Sequence, residues 1–204
     1  MVGKNGKKQG VSLGYSCGTL ATVIHEIMHA LGLFHEQARP DRDEYLAVNY
    51  NLVAKDKRKN FRKEETSYTL STPYNFGSTM HYPAEMLSTK YGSPVLVALN
   101  KFYQESMGNG FNARFTDIEK LNKFYQCDQK CATGKCEYGG YPNPNNCTKC
   151  VCPYGFGGDK CETTMKPVGD ENCGGELQAT TEWQELKQDR KALTKWIKCS
   201  WMIK

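Results

Sequence analysis

Apolar residues along this 204-residue chain gather in a few short runs. The densest is "GTLATVIHEIMHALG" (18–32), rich in Ala, Leu, Ile and Met and free of proline. That pattern predicts a helix, apolar on most sides and therefore expected to be buried. Its expected end is Gly32, because glycine takes left-handed φ without a steric penalty. A second helix is expected from "TDIE" at 116–119, which reads as a capping box, to about Tyr125. Near the C-terminus, "KWIKCSWMIK" (195–204) alternates Trp and Ile with polar residues and predicts a strand. "ETTMKPVGDEN" (162–172) has no hydrophobic periodicity and reads as a linker. The basic run "KDKRKNFRK" (55–63) reads as a solvated face in preference to a polyanion site. No apolar run is long enough to cross a bilayer.

Charge narrows the function classes. Lys and Arg number 27 and Asp and Glu 22, a net +5 spread along the chain, which makes no case for nucleic acid. Histidine is more informative. There are 4 in all, and three fall within "HEIMHALGLFHEQARPDRD" (25–43). His25 and His29 are four apart, so on a helix they share one face. A turn at Gly32 can bring His35 back to them. Three neutral imidazoles on one point make a zinc geometry with the fourth position open. Glu26 sits beside the first of them and can take a proton from zinc-acidified water. Two other readings stand beside this one. The histidines could be incidental on a buried helix, or the zinc could be structural. Structural sites usually use four protein ligands including Cys, and Cys17 alone lies close by in sequence, which favours a catalytic site.

The extended pattern H-E-x-x-H-x-x-G-x-x-H is that of the metzincins, which also need a Met-turn downstream. "YNFGSTMHYP" (74–83) offers one, with Met80 as the hydrophobic floor under the histidines. "HEIMHALGLFHEQARPDRD" followed by "STMHY" resembles the astacin family of zinc endopeptidases. The matching residues beyond the ligands are Glu36, Arg39, Asp41, Arg42, Asp43 and Tyr82. "NYNLV", "NFRK", "TPYNFGS" and "FTDIEKLNKFYQC" match in order as well. The resemblance implies one Zn2+ per catalytic domain. It implies that Tyr82 is a fifth ligand at rest and swings away to stabilise the oxyanion when substrate binds. It also implies that Glu36 anchors the mature N-terminus through a buried polar network. Without the resemblance, Tyr82 and Glu36 are ordinary residues and "DRD" is a solvated turn. His81 is expected to point away from the metal.

Of ten cysteines, eight follow residue 130. Cys131, Cys136, Cys147, Cys150, Cys152 and Cys161 are spaced C-x4-C-x10-C-x2-C-x-C-x8-C. So short a stretch cannot bury a useful core and needs staples. Six cysteines allow fifteen pairings, and spacing alone does not choose among them. A zinc-binding cluster is the rival reading; C-x2-C at 147 and 150 suits it, but six ligands in this order do not. The spacing and the closing "CPYGFGGDKC" resemble an EGF-like module, which implies the pairs 131–147, 136–150 and 152–161. Asn146-Cys147-Thr148 is a glycosylation sequon. "CGGELQATTEWQELK" resembles the first strand of a CUB domain and "KWIKCSWMIK" its second, with Cys199 as the partner of Cys173.

The expected fold class is α+β: the C-terminal part of a zincin-like (metzincin) catalytic domain at 1–127, a disulfide-rich EGF-like β module at 128–161, a linker at 162–172, and the start of an all-β CUB module at 173–204. This order resembles nematode-type secreted astacins. The opening "VGKNGKKQGVSLG" resembles a strand in the middle of the catalytic domain. The sequence is therefore expected to be a fragment, with the family's partners of Cys17 and Cys127 lying upstream. Disulfide density places the protein outside the cell. The expected function is a secreted zinc endopeptidase acting on extracellular proteins or peptides, with Glu26 as base and Tyr82 at the oxyanion, and with protein or glycan partners for the EGF and CUB modules. The alternative is a non-catalytic extracellular EGF/CUB interaction protein or an inactive fragment, and the 204-residue chain by itself is expected to be a poor peptidase. The intact Glu26 favours the enzyme, because a binding module has no use for that carboxylate.

Overall fold

The computed structural model describes residues 2–15, 17–110, 112–131, 134–186 and 196–204. The chain divides into two compact units, Met1–Tyr125 and Gln126–Lys204.

In the first unit the long apolar run forms α1 (Leu20–Ala30). Thr19 caps its start, the hydroxyl accepting from the Thr22 N–H at 3.2 Å. Its end is a Schellman turn. Gly32 N–H donates to His29 O and Leu33 N–H to Met28 O, both at 3.0 Å, with Gly32 at φ +103°. The expectation of a buried helix is corrected: Met28 alone is buried, while Leu20 and Ile27 are 65% and 44% exposed. The partners that bury α1, Leu33 and Met80, lie on the Met28 side. The strand expected in the opening segment is also absent. The described residues 2–15 have no strand, and Gly3 N–H donates to His29 O at 2.8 Å.

The main core of this unit gathers Leu46, Val53, Phe61, Tyr74, Phe76 and Val95 around an antiparallel pair, β1 (Leu46–Val48) and β2 (Leu96–Ala98). In β2 the period-2 alternation is plain, with Leu96 and Ala98 buried and Val97 exposed. The basic run winds as a 3-10 helix, Lys55–Phe61, that buries Phe61 and leaves Lys55, Lys57 and Lys59 in solvent. The second helix, α2 (Phe115–Phe124), is capped two positions earlier than "TDIE" suggests. Arg114 is the cap residue, and Asp117, third in the helix, reaches back to accept from the Arg114 N–H at 3.2 Å. Thr116 is thus inside the first turn, where its hydroxyl accepts from Asn75 Nδ2 at 2.6 Å.

The second unit is held by short ladders and four disulfides. β3 (Tyr141–Asn143) pairs antiparallel with β4 (Asn146–Val151), and β5 (Phe156–Gly157) with β6 (Thr163–Thr164). Cys131 is joined to Cys147, Cys136 to Cys150, Cys152 to Cys161, and Cys173 to Cys199. β7 (Gly175–Leu177) runs parallel to β8 (Trp201–Ile203), the latter within the stretch read as a strand. The segment read as a linker carries β6 and a bridge from Val168 to Lys198, because backbone partners on both sides take up its polar groups.

Candidate metal centre

His25 and His29 project from one face of α1, and the Schellman turn at Gly32 returns the chain so that His35 meets them. Their ring centroids lie 4.6 to 5.1 Å apart. His35 Nε2 is 3.1 Å from His25 Nε2 and 3.2 Å from His29 Nε2. Tetrahedral nitrogen ligands about 2.0–2.1 Å from zinc stand about 3.3 Å from one another, so these separations fit a zinc ion. Among the described residues this is the one cluster of three His, Cys, Asp or Glu groups close enough to share a metal.

Proton placement fits a cation too. His25 Nδ1 is 2.8 Å from Thr79 O, and His29 Nδ1 is 2.7 Å from Leu33 O. A carbonyl only accepts, so both imidazoles carry their proton on Nδ1. Each then turns a bare Nε2 lone pair toward His35. A neutral His35 can donate to at most one of them, so the trio cannot satisfy itself. Protonation of His29 or His35 is no remedy. Burial holds His29 below its usual pKa, and burial reinforced by His29 and His25 pushes His35 down to about 3. Converging nitrogens, two of them steered by an acceptor on the far side of the ring, are what a metal site needs.

Two loops complete the surroundings. Met80 is 1% exposed and packs with Met28 of α1 and with Leu33, which follows the turn at Gly32. Just before it, Ser78 donates to Asp117 Oδ1 at 2.5 Å and the Thr79 N–H to Asp117 Oδ2 at 3.0 Å. Glu36 follows His35, and its N–H donates to Met80 O at 2.9 Å. Its buried carboxylate accepts from Arg39 at 3.1 Å and from the Asn75 N–H at 3.0 Å, and it pairs with Lys120. "DRD" is solvated only at Asp43: Arg42 is buried on the carbonyls of Gln37 and Phe61, and the neighbouring Arg39 is buried on Asp41 and two carbonyls.

Glu26 lines, with His29 and His35, a cleft of about 570 Å³ that Lys59 and Arg62 also border. Tyr82 packs its ring on His35, centroids 4.5 Å apart, and its N–H donates to Gln37 Oε1 at 3.0 Å. Burial raises the Tyr82 phenol's pKa, so it is protonated at neutral pH. His81 is not among the converging nitrogens. It is buried between the Tyr74 hydroxyl, 2.9 Å from Nε2, and the Tyr82 carbonyl, 2.7 Å from Nδ1. Sequence reasoning missed Gln37, Asp117 and Lys120. A charged residue at every third position of a helix looks like a solvated face, and only the observed burial of Asp117 and Lys120 sets them apart.

The family model for astacin, a peptidase family, matches residues 1–126. Zinc metalloproteinase nas-30 of Caenorhabditis elegans is 37% identical, with 100% of this chain and 27% of the relative covered. Zinc metalloproteinase nas-36 of Brugia malayi is 40% identical over 92% of this chain and 32% of its own length. The chain thus spans about a third or less of these relatives. High choriolytic enzyme 1, a hatching-enzyme zinc protease of Oryzias latipes, is 32% identical and covers 52% of each chain at a TM-score of 0.48, an overlap too partial to add to the assignment. The family match spans the three converging histidines, the turn at Met80 and both helices of the first unit, and the chain belongs to the astacin family.

Proposed function

We propose that the chain is the zinc-binding part of a secreted metalloendopeptidase that hydrolyses peptide bonds of extracellular proteins. The observation that carries this reading is the convergence of three imidazoles at 3.1 and 3.2 Å, with a carboxylate on the same cleft. His25, His29 and His35 would hold one Zn2+ per catalytic domain. Zinc bound there supplies Lewis acidity toward the scissile carbonyl and lowers the pKa of water in its open position to about 7.

The remaining work falls to the chain's own groups. Glu26 takes the proton from the attacking water and later gives it to the leaving amine. Tyr82, kept protonated by its burial, donates a hydrogen bond to the developing oxyanion. The Gln37 contact holds the Tyr82 main chain, and the ring packs tilted against His35. Met80 forms the apolar floor that keeps the imidazoles from tilting.

In the second unit we read 128–161 as an EGF-like module and 173–204 as the start of a CUB domain, with protein or glycan partners. Four disulfides support an extracellular location. Asn146 is exposed and its side-chain oxygen accepts from the Thr148 hydroxyl at 2.7 Å, which supports its use as a glycan acceptor.

Glu26→Ala tests the enzyme reading. The variant is expected to keep its zinc and lose hydrolysis of a peptide library. Normal turnover by Glu26→Ala would mean that another group is the base.

A further inference from the structure

We infer that Asp117 and Lys120 of α2 are positioning residues for the metal centre, each holding one of the two loops that present it. The inference rests on reading His25, His29 and His35 as the zinc ligands.

The two side chains lie three residues apart on α2, on one face of the helix, and both are buried, Asp117 at 1% and Lys120 at 6% exposed. Buried charge is costly unless it is matched, so such residues need a partner to account for them. Here each partner belongs to a different loop of the metal centre. Asp117 takes the Met80 loop. Its Oδ2 accepts from the Thr79 N–H at 3.0 Å and its Oδ1 from the Ser78 hydroxyl at 2.5 Å. That hydroxyl accepts in turn from the Met80 N–H at 3.0 Å. Thr79 O is the acceptor that orients His25 through Nδ1 at 2.8 Å. One carboxylate therefore fixes both the imidazole's outer partner and the floor residue.

Lys120 takes the other loop. Its ammonium pairs with the Glu36 carboxylate, and Glu36 directly follows His35. The same carboxylate holds the Asn75 N–H at 3.0 Å, and the Glu36 N–H binds Met80 O at 2.9 Å. The two loops are tied to each other at Glu36 and Met80, and both are tied to α2. Because α2 is a rigid rod, the offset between Asp117 and Lys120 sets the offset between the carbonyl serving His25 and the backbone carrying His35. No residue of α2 belongs to the ligand trio, so its part in the site is to fix this offset.

The test uses the full chain, freed of metal and titrated with zinc against a chromophoric chelator, with the absorption spectrum of the Co2+ form as a second readout. Loss of an outer partner typically weakens metal binding by about 10- to 100-fold. Lys120→Met and Asp117→Asn are each expected to fall in that range and to change the Co2+ spectrum. Ser78→Ala, which removes a single hydroxyl and keeps the fold available if the charged variants fail to fold, is expected to weaken zinc several-fold. Leu96→Ala, in the core around β1 and β2, is the control: it lowers stability and leaves zinc affinity and the Co2+ spectrum as in the parent. Parental zinc affinity and spectrum in folded Asp117→Asn or Lys120→Met, or in Ser78→Ala, would overturn the inference. Failure of the underlying reading looks different: the unaltered chain would then bind zinc no better than His29→Ala does.

Discussion

Met80 is the place where packing and metal chemistry meet. It is 1% exposed, and its neighbours in the core, Met28 and Leu33, flank His29 on α1 and the turn that follows. Replacing it with alanine removes a buried thioether side chain from this cluster, where Asp117 and Glu36 tether both sides of the loop and hinder collapse. Such truncations cost about 2–5 kcal/mol, the upper part applying where the site cannot relax. That is a large share of the roughly 5–15 kcal/mol that holds a domain together. Met80→Leu keeps most of the volume and should cost less than about 1.5 kcal/mol. Tryptophan fluorescence is the wrong probe, because Trp183, Trp196 and Trp201 all lie in the second unit. Amide hydrogen exchange read by mass spectrometry on peptides covering 18–36 and 74–83 reports on the cluster itself. Met80→Ala should raise the opening equilibrium there by about 30-fold or more, from about 1.36 kcal/mol per tenfold, and Met80→Leu by about tenfold or less. Exchange at α1 unchanged in Met80→Ala would refute the idea that this side chain is the floor of the site.

Other expectations concern the turn and the staples. Gly32→Ala places a Cβ at φ +103° and 3.4 Å from the Phe124 ring, so it should lower stability by about 1–2 kcal/mol and weaken zinc by displacing His35; an unaltered denaturation midpoint would contradict the role given to this turn. Peptide mapping without reduction should recover 131–147, 136–150, 152–161 and 173–199 as linked pairs. Recovery of the first six cysteines as thiols or metal ligands would remove the EGF-like reading and the extracellular placement together.

Much of the site was legible in the sequence because its chemistry depends on local spacing. His25 and His29 share a helix face by virtue of a four-residue separation, and a glycine at position 32 is enough to turn the chain back. The packing of Met80 on Met28 and Leu33 is not legible in "GSTMHY" itself, where only the family's pattern singles Met80 out. What stayed hidden depends on burial across long separations. Lys120 meets Glu36 across 84 residues, and Asp117 meets Thr79 across 38. In sequence those charges are the ordinary polar positions of an amphipathic helix. Arg39 and Arg42 misled for the same reason: "RPDRD" is turn-like in composition, and its burial is decided by the carbonyls of Thr72, Pro73 and Phe61, which arrive from elsewhere in the chain. The α1 expectation erred in the other direction. An apolar helix implies a cover on every side, yet the described residues supply one only around Met28.

If three imidazoles of the first unit, and no thiolate, hold the metal, X-ray absorption at the zinc edge on the full chain loaded with one equivalent will reveal it. The expected first shell is nitrogen and oxygen at about 2.0–2.1 Å with imidazole outer-shell features, lost in His29→Ala. A sulfur shell at about 2.3 Å, or the same spectrum and occupancy in His29→Ala, would contradict it.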